Sequence, residues 1–177
     1  LRSEKRELRE RMRAAGLDYR QIATEFSRVY KLRPRAAWRE AYGWSLQETA
    51  DNINTYRGDT GLDPGGISGM TSAHLCEYEK WPGYGESPTG RRPTPYLLAV
   101  LASIYDCQVN DLIDLADRQH LPKPDLLILD TYTQNAAAAV RKPPAPSAML
   151  SVQPSHALAL PADGAGGLRT AAAAFWV

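Results

Sequence analysis

Helix starts and stops recur at short intervals through the first 115 residues, and that punctuation leaves room for little except a bundle of short helices. Residues 3–15 form a charged helical pattern with Leu8 and Met12 four apart, and Gly16 ends it. Asp18 followed by Gln21 is a capping-box pair, and the helix it opens places Ile22, Ala23, Phe26, Val29 and Tyr30 on one face. Arg33-Pro34 marks a boundary, because the residue before a proline is pushed out of the helical region. A third helix, about 35–42, carries Ala37, Trp38 and Ala41 and stops at Gly43. Ser45 with Glu48 is a second capping box, and the helix it starts, about 46–57, turns Leu46, Thr49, Ala50 and Ile53 inward.

Residues 58–70 are rich in Gly and Asp and are expected to loop. A short helix, about 72–80, follows. Residues 81–93 are rich in Pro, Gly and Tyr and are expected to loop again. Thr94 and Pro95 cap and start a helix lined by Leu97, Leu98, Leu101, Ala102 and Tyr105. Asn110 is a cap candidate for a last short helix through Leu112, Ile113 and Leu115. The pattern is all-α. Beyond Pro122 the character changes: Leu126-Leu127-Ile128-Leu129 is either a strand or a helix packing back on the core. Ala136–Ala139, Pro143-Pro144, Pro146 and Ala171–Ala174 read as a disordered Ala/Pro/Gly tail, in which the terminal Phe175-Trp176-Val177 stands out. Three parts are expected: a basic helical hairpin at 1–33, a helical domain at 34–118, and a linker or tail at 119–177.

Charge is unevenly spread. The whole chain carries +1, but residues 1–42 hold 12 Lys+Arg against 6 Asp+Glu, a net of +6. Residues 43–120 hold 5 against 11, a net of −6. Such asymmetry marks either a basic interaction face or a solvated amphipathic helix. Cys76 and Cys107 have no metal-ligand spacing, and a reduced, cytoplasmic protein is expected. No run of about 18 apolar residues suggests a membrane span. The start lacks an apolar signal core and an initiator Met, so a fragment or trimmed chain is expected. His74, His120 and His156 lack partners at catalytic spacing, and no glycine-rich phosphate loop occurs. Asp111, Asp114 and Asp117 are expected to be solvated neighbours on a short helix. Neither an enzyme nor a cofactor or metal site is expected.

The stretch Met70-Thr71-Ser72-Ala73-His74-Leu75-Cys76-Glu77-Tyr78-Glu79-Lys80, with Arg91-Arg92-Pro93 beyond it, suits a helix offered to the DNA major groove with arginines near its end. With Arg39, Gly43, Ser45, Glu48 and Ala50 before it and Leu97, Leu98 and Leu101 after it, residues 35–115 resemble the lambda-repressor-like (Cro/CI, XRE) helix-turn-helix family. The wording of residues 1–115 also looks like actinobacterial regulators of that family. The resemblance implies a DNA-binding transcriptional regulator with 72–80 as the recognition helix.

Carried over residue by residue, the resemblance makes Thr71 the cap of that helix and Leu75 its inward anchor. Ser72, Ala73, His74 and Glu77 occupy the groove-facing positions. Ala can touch a thymine methyl and Glu can accept from cytosine N4. As a lone His, His74 also reads as an ordinary surface residue. Arg91 and Arg92 fall where the family contacts phosphates, and Arg39 and Glu79 at positions that pair.

Two departures stand out. From Ala50 to Thr71 is 21 residues and from Glu79 to Pro93 is 14, both longer than the family pattern. The net −6 of residues 43–120 predicts weak DNA binding by that part alone, a deficit that the basic residues 1–42 could offset. Double-stranded DNA is the expected partner, bound as a homodimer on paired half-sites. The alternative is a helical protein–protein interaction module on the same bundle, using its acidic face or the C-terminal tail.

Overall fold

The computed structural model describes residues 2–61, 69–85 and 87–141, with side chains through residue 134. Among them are eight α-helices, one 3-10 helix and no strand. In order they are α1 (Arg2–Ala14), α2 (Tyr19–Tyr30), α3 (Pro34–Tyr42), α4 (Leu46–Asp59), α5 (Ser72–Lys80), α6 (Pro95–Ile104), the 3-10 helix (Val109–Leu112), α7 (Leu115–His120) and α8 (Lys123–Arg141). None of these helices is long and apolar enough to cross a membrane.

Local chemistry sets the helix starts. Asp18 Oδ1 accepts from the Gln21 N–H at 2.8 Å while Gln21 Oε1 accepts from the Asp18 N–H at 2.9 Å. Ser45 and Glu48 make the same reciprocal pair at 3.1 and 2.7 Å. These bonds satisfy donors that the first helical turn leaves without partners. Thr94 caps α6 through the Leu97 N–H, and Pro95 fills its first position. Gly43 ends α3 in the left-handed region, φ 79°, and donates to Arg39 O and Glu40 O.

The core draws on α1 through α6, the 3-10 helix and α8. Ile22, Phe26, Ala37, Trp38, Ile53, Leu75, Leu98, Leu101 and Leu112 pack in one buried cluster. An aromatic stack, Tyr19 on Tyr42 with ring centroids 3.9 Å apart, ties α2 to α3, and the Tyr42 hydroxyl donates to Tyr105 O at 2.7 Å.

Three features bear on these expectations. First, the basic hairpin at 1–33 is packed on the main bundle: α2 lies along α3 and buries Ile22, Ala23 and Phe26 in the common core. α1 joins mainly through side chains, with Met12 buried. Second, the change to linker does not fall at 119. Leu126–Leu129 lies in helix α8, and Leu121 and fully buried Leu129 belong to the core. Third, Asp117 is not solvated. It is fully buried, and the Arg35 guanidinium grips it through Nη1–Oδ2 and Nη2–Oδ1, both 3.0 Å. Arg33 adds a contact at 2.8 Å. Asp111 and Asp114 are partly exposed but paired, with Arg20 at 2.6 Å and Arg33 at 3.0 Å. The tail expected beyond residue 141 lies outside the described residues, as do residues 62–68 of the first expected loop.

Candidate nucleic-acid interface

α5 is fixed from three directions. At its start, Thr71 Oγ1 accepts from the His74 N–H at 3.2 Å. Just before it, Asn54 of α4 brackets Met70: its Nδ2 donates to Met70 O at 2.9 Å and its Oδ1 accepts from Met70 N–H at 2.6 Å. The long insertion between α4 and α5 is therefore closed off at its downstream end, and α5 returns to α4 despite it. On its inner side Leu75 and Glu79, one turn apart, are buried. Ala50, fully buried, gives α4 a small surface in the same core.

Glu79 binds Arg39 of α3 by two parallel bonds, Nε–Oε1 at 2.7 Å and Nη2–Oε2 at 3.0 Å. Arg39 Nη1 also donates to Trp44 O at 3.0 Å. Burial pushes the Glu79 carboxyl above its ordinary range, and the guanidinium pulls against that shift. For Arg39, burial opposes the charge, but the bonds to Glu79 outweigh it and hold the group protonated.

These inward anchors turn an outer stripe of α5 to solvent. Ala73, Glu77 and Lys80 are exposed at helical spacing, while Ser72 and His74 are half-buried on the flanks. Lys80 went unremarked in the sequence, although counting three residues on from Glu77 puts it on the stripe. Thr71 is exposed beside its cap bond.

The two loop arginines part company. Arg91 returns to α5, with Nε 3.3 Å from Glu77 Oε2 and its guanidinium carbon 5.7 Å from the Tyr78 ring centre. Gly90 makes this return possible. Its φ is +85°, and a Cβ there would lie 2.9 Å from Glu77 O. Arg92 turns to α8 instead and lies 3.8 Å from Asp125.

A groove of about 1050 Å³ lies beside the start of α5. Arg2, Lys5, Arg6 and Arg9 of α1 line one side, and Ser45 and Gln47 at the start of α4, with Ser72, line the other. The sequence showed the basic charge of α1 but not which part of the bundle it covers. No metal cluster of three or more His, Cys, Asp or Glu side chains occurs among the described residues. Comparison with protein-family models, with curated proteins and with solved structures finds no match for the chain.

Proposed function

We propose that the chain is a cytoplasmic, sequence-specific DNA-binding transcriptional regulator of the lambda-repressor-like type, with α5 in the major groove and the protein dimeric on paired half-sites. The observation that carries this reading is the mounting of α5. A capped nine-residue helix is clamped from behind by Leu75 and by the Arg39–Glu79 pair, and presents Ala73, Glu77 and Lys80 outward. A reading helix needs such rigidity, because base discrimination rests on side chains held at fixed distances from base edges. Arg91 on the same face supplies a cation for phosphate, and Arg92, held toward α8, would contribute less.

The test is selection from a random duplex library. The wild-type protein is expected to enrich one motif, and a His74→Ala, Glu77→Ala double variant to enrich a different or weaker one. Identical motifs, or no enrichment by the wild type, would overturn the reading. Arg91→Ala should weaken all sequences alike and make the salt slope shallower by about one unit, with a smaller change for Arg92→Ala. The rival role, a protein-binding module, draws on Leu115 and Leu127, 72% and 68% exposed on α7 and α8. Failure of the wild type to bind duplex would favour it.

A further inference from the structure

We propose that α1 is a phosphate clamp, and that the groove it closes against the starts of α4 and α5 seats the phosphodiester backbone of duplex DNA beside the bases that α5 reads. The proposal rests on the DNA-binding reading of α5 and extends it to a second contact surface.

The charge in the groove is the first argument. Five cationic side chains line it, Arg2, Lys5, Arg6, Arg9 and Arg39, against two carboxylates, Glu40 and Glu48. Both carboxylates are already engaged. Glu40 lies 3.1 Å from Lys5 and 3.5 Å from Arg39, and Glu48 accepts from the Ser45 N–H at 2.7 Å. Arg2 and Arg6 are exposed and stand one helical turn apart. Among the described residues Arg6 pairs with Glu10 at 3.9 Å, with both side chains about two-thirds exposed, and water weakens such a pair to little net attraction.

The second argument is that α1 is anchored where it lies. Arg9 Nη1 donates to Glu40 O at 3.0 Å, and its guanidinium occupies the space above Gly43. A Cβ at residue 43 would come within 2.6 Å of Arg9 Cζ, so a side chain there would push the guanidinium out of this position. Lys5 is held between Glu40 and the Tyr30 ring, 5.4 Å from its centre. The two anchored cations place α1, and the two exposed ones remain available to an anion.

Continuity is the third. Ser72, the first residue of α5, lines the same groove, so a strand lying there would run on into the α5 face. The domain also needs outside cations, since residues 43–120 carry −6 and would otherwise repel phosphate.

The test compares three full-length proteins: wild type, Arg2→Gln/Arg6→Gln, and Arg11→Gln/Arg13→Gln, which loses the same charge from α1 outside the groove. Affinity for the selected motif and for an unrelated duplex is titrated over a salt series. The groove variant is expected to lose affinity for both duplexes and to make the slope of log K against log salt shallower by about two units, with thermal unfolding unchanged. The control variant should keep close to the wild-type slope. Equal slopes for wild type and groove variant would overturn the clamp while leaving the α5 reading intact, since the wild type binds. An equal fall in the control would also overturn it, because total charge would then be the cause. No duplex binding by the wild type would overturn both. If the slopes match, yet inorganic pyrophosphate stabilises the wild type and not the groove variant, the groove serves a free polyphosphate, and the DNA-backbone assignment is overturned.

Discussion

Arg39 and Glu79, forty residues apart, close a bidentate pair that joins α3 to the last turn of α5. The contact has two consequences. It fixes the angle at which α5 leaves the bundle, and it commits the core to a carboxylate that burial disfavours.

Arg39→Met is therefore expected to cost roughly 3–5 kcal/mol at neutral pH, because it strands Glu79 without its partner. The cost should depend on pH in a definite sense. A carboxyl whose folded pKa lies above its unfolded value favours folding at low pH, and that contribution is lost as pH rises through the folded value. Burial places Glu79 on that side, and removing Arg39 moves it further. Urea unfolding of wild type and variant at pH 7 and pH 5 should show the gap narrowing at pH 5. A gap that stays constant would mean that Glu79 has the same protonation state in the folded variant as in the folded wild type, so that Arg39 does not set it.

A second prediction concerns Arg35 and Asp117. Arg35 is 1% exposed and donates to Tyr78 O, Leu112 O and Trp81 O as well as to both oxygens of Asp117. One side chain thus holds the end of α5 to the segment around α7. Asp117→Ala should cost roughly 3–5 kcal/mol, since two arginines then share one fewer buried counter-charge. Asp114→Ala removes the α7 cap and a part-exposed contact, and should cost only about 1 kcal/mol. Chemical denaturation of the two variants checks the ranking, and equal costs would show that the buried network adds nothing beyond a cap.

The contrast between these two pairs also tells what the sequence could reveal. Caps were legible because they are local: Asp18 with Gln21, Ser45 with Glu48 and Thr71 with His74 each span three residues. Burial of Leu98 and Leu101 followed from helical spacing, and that of Leu75 from the family resemblance. Arg39–Glu79 was legible only through a family resemblance. Arg35–Asp117 was not legible at all, because 82 residues separate the partners and each looks like a surface charge in its own helix. The run Leu126–Leu129 was ambiguous because four apolar residues fit either period, and only its packing through Leu129 decides for helix. For the interface, the α5 stripe and the basic charge of α1 could be read in advance. The divergence of Arg91 from Arg92 could not, since it depends on how the chain turns at Gly90.

The last prediction concerns Asn54, which sequence reasoning passed over. Its amide makes two bonds to the backbone of Met70, one accepted and one donated, 16 residues downstream. Between them lies a connection too long to be a tight turn. The amide ties its two ends together by side-chain contact, and Thr71 then caps α5 from a fixed position. Asn54→Ala leaves the Met70 N–H and carbonyl without these partners, at a cost of about 1–2 kcal/mol. More tellingly, the loss should be local. Amide hydrogen exchange should quicken at Met70 and across the first turn of α5, relative to wild type, by more than it does in α6, whose cap is independent. Duplex affinity should fall with it, because the first turn of α5 would no longer be held in place by α4. If exchange at Met70 and His74 accelerates no more than in α6, the bracket is not what positions α5, and the packing of Leu75 and Glu79 alone must suffice.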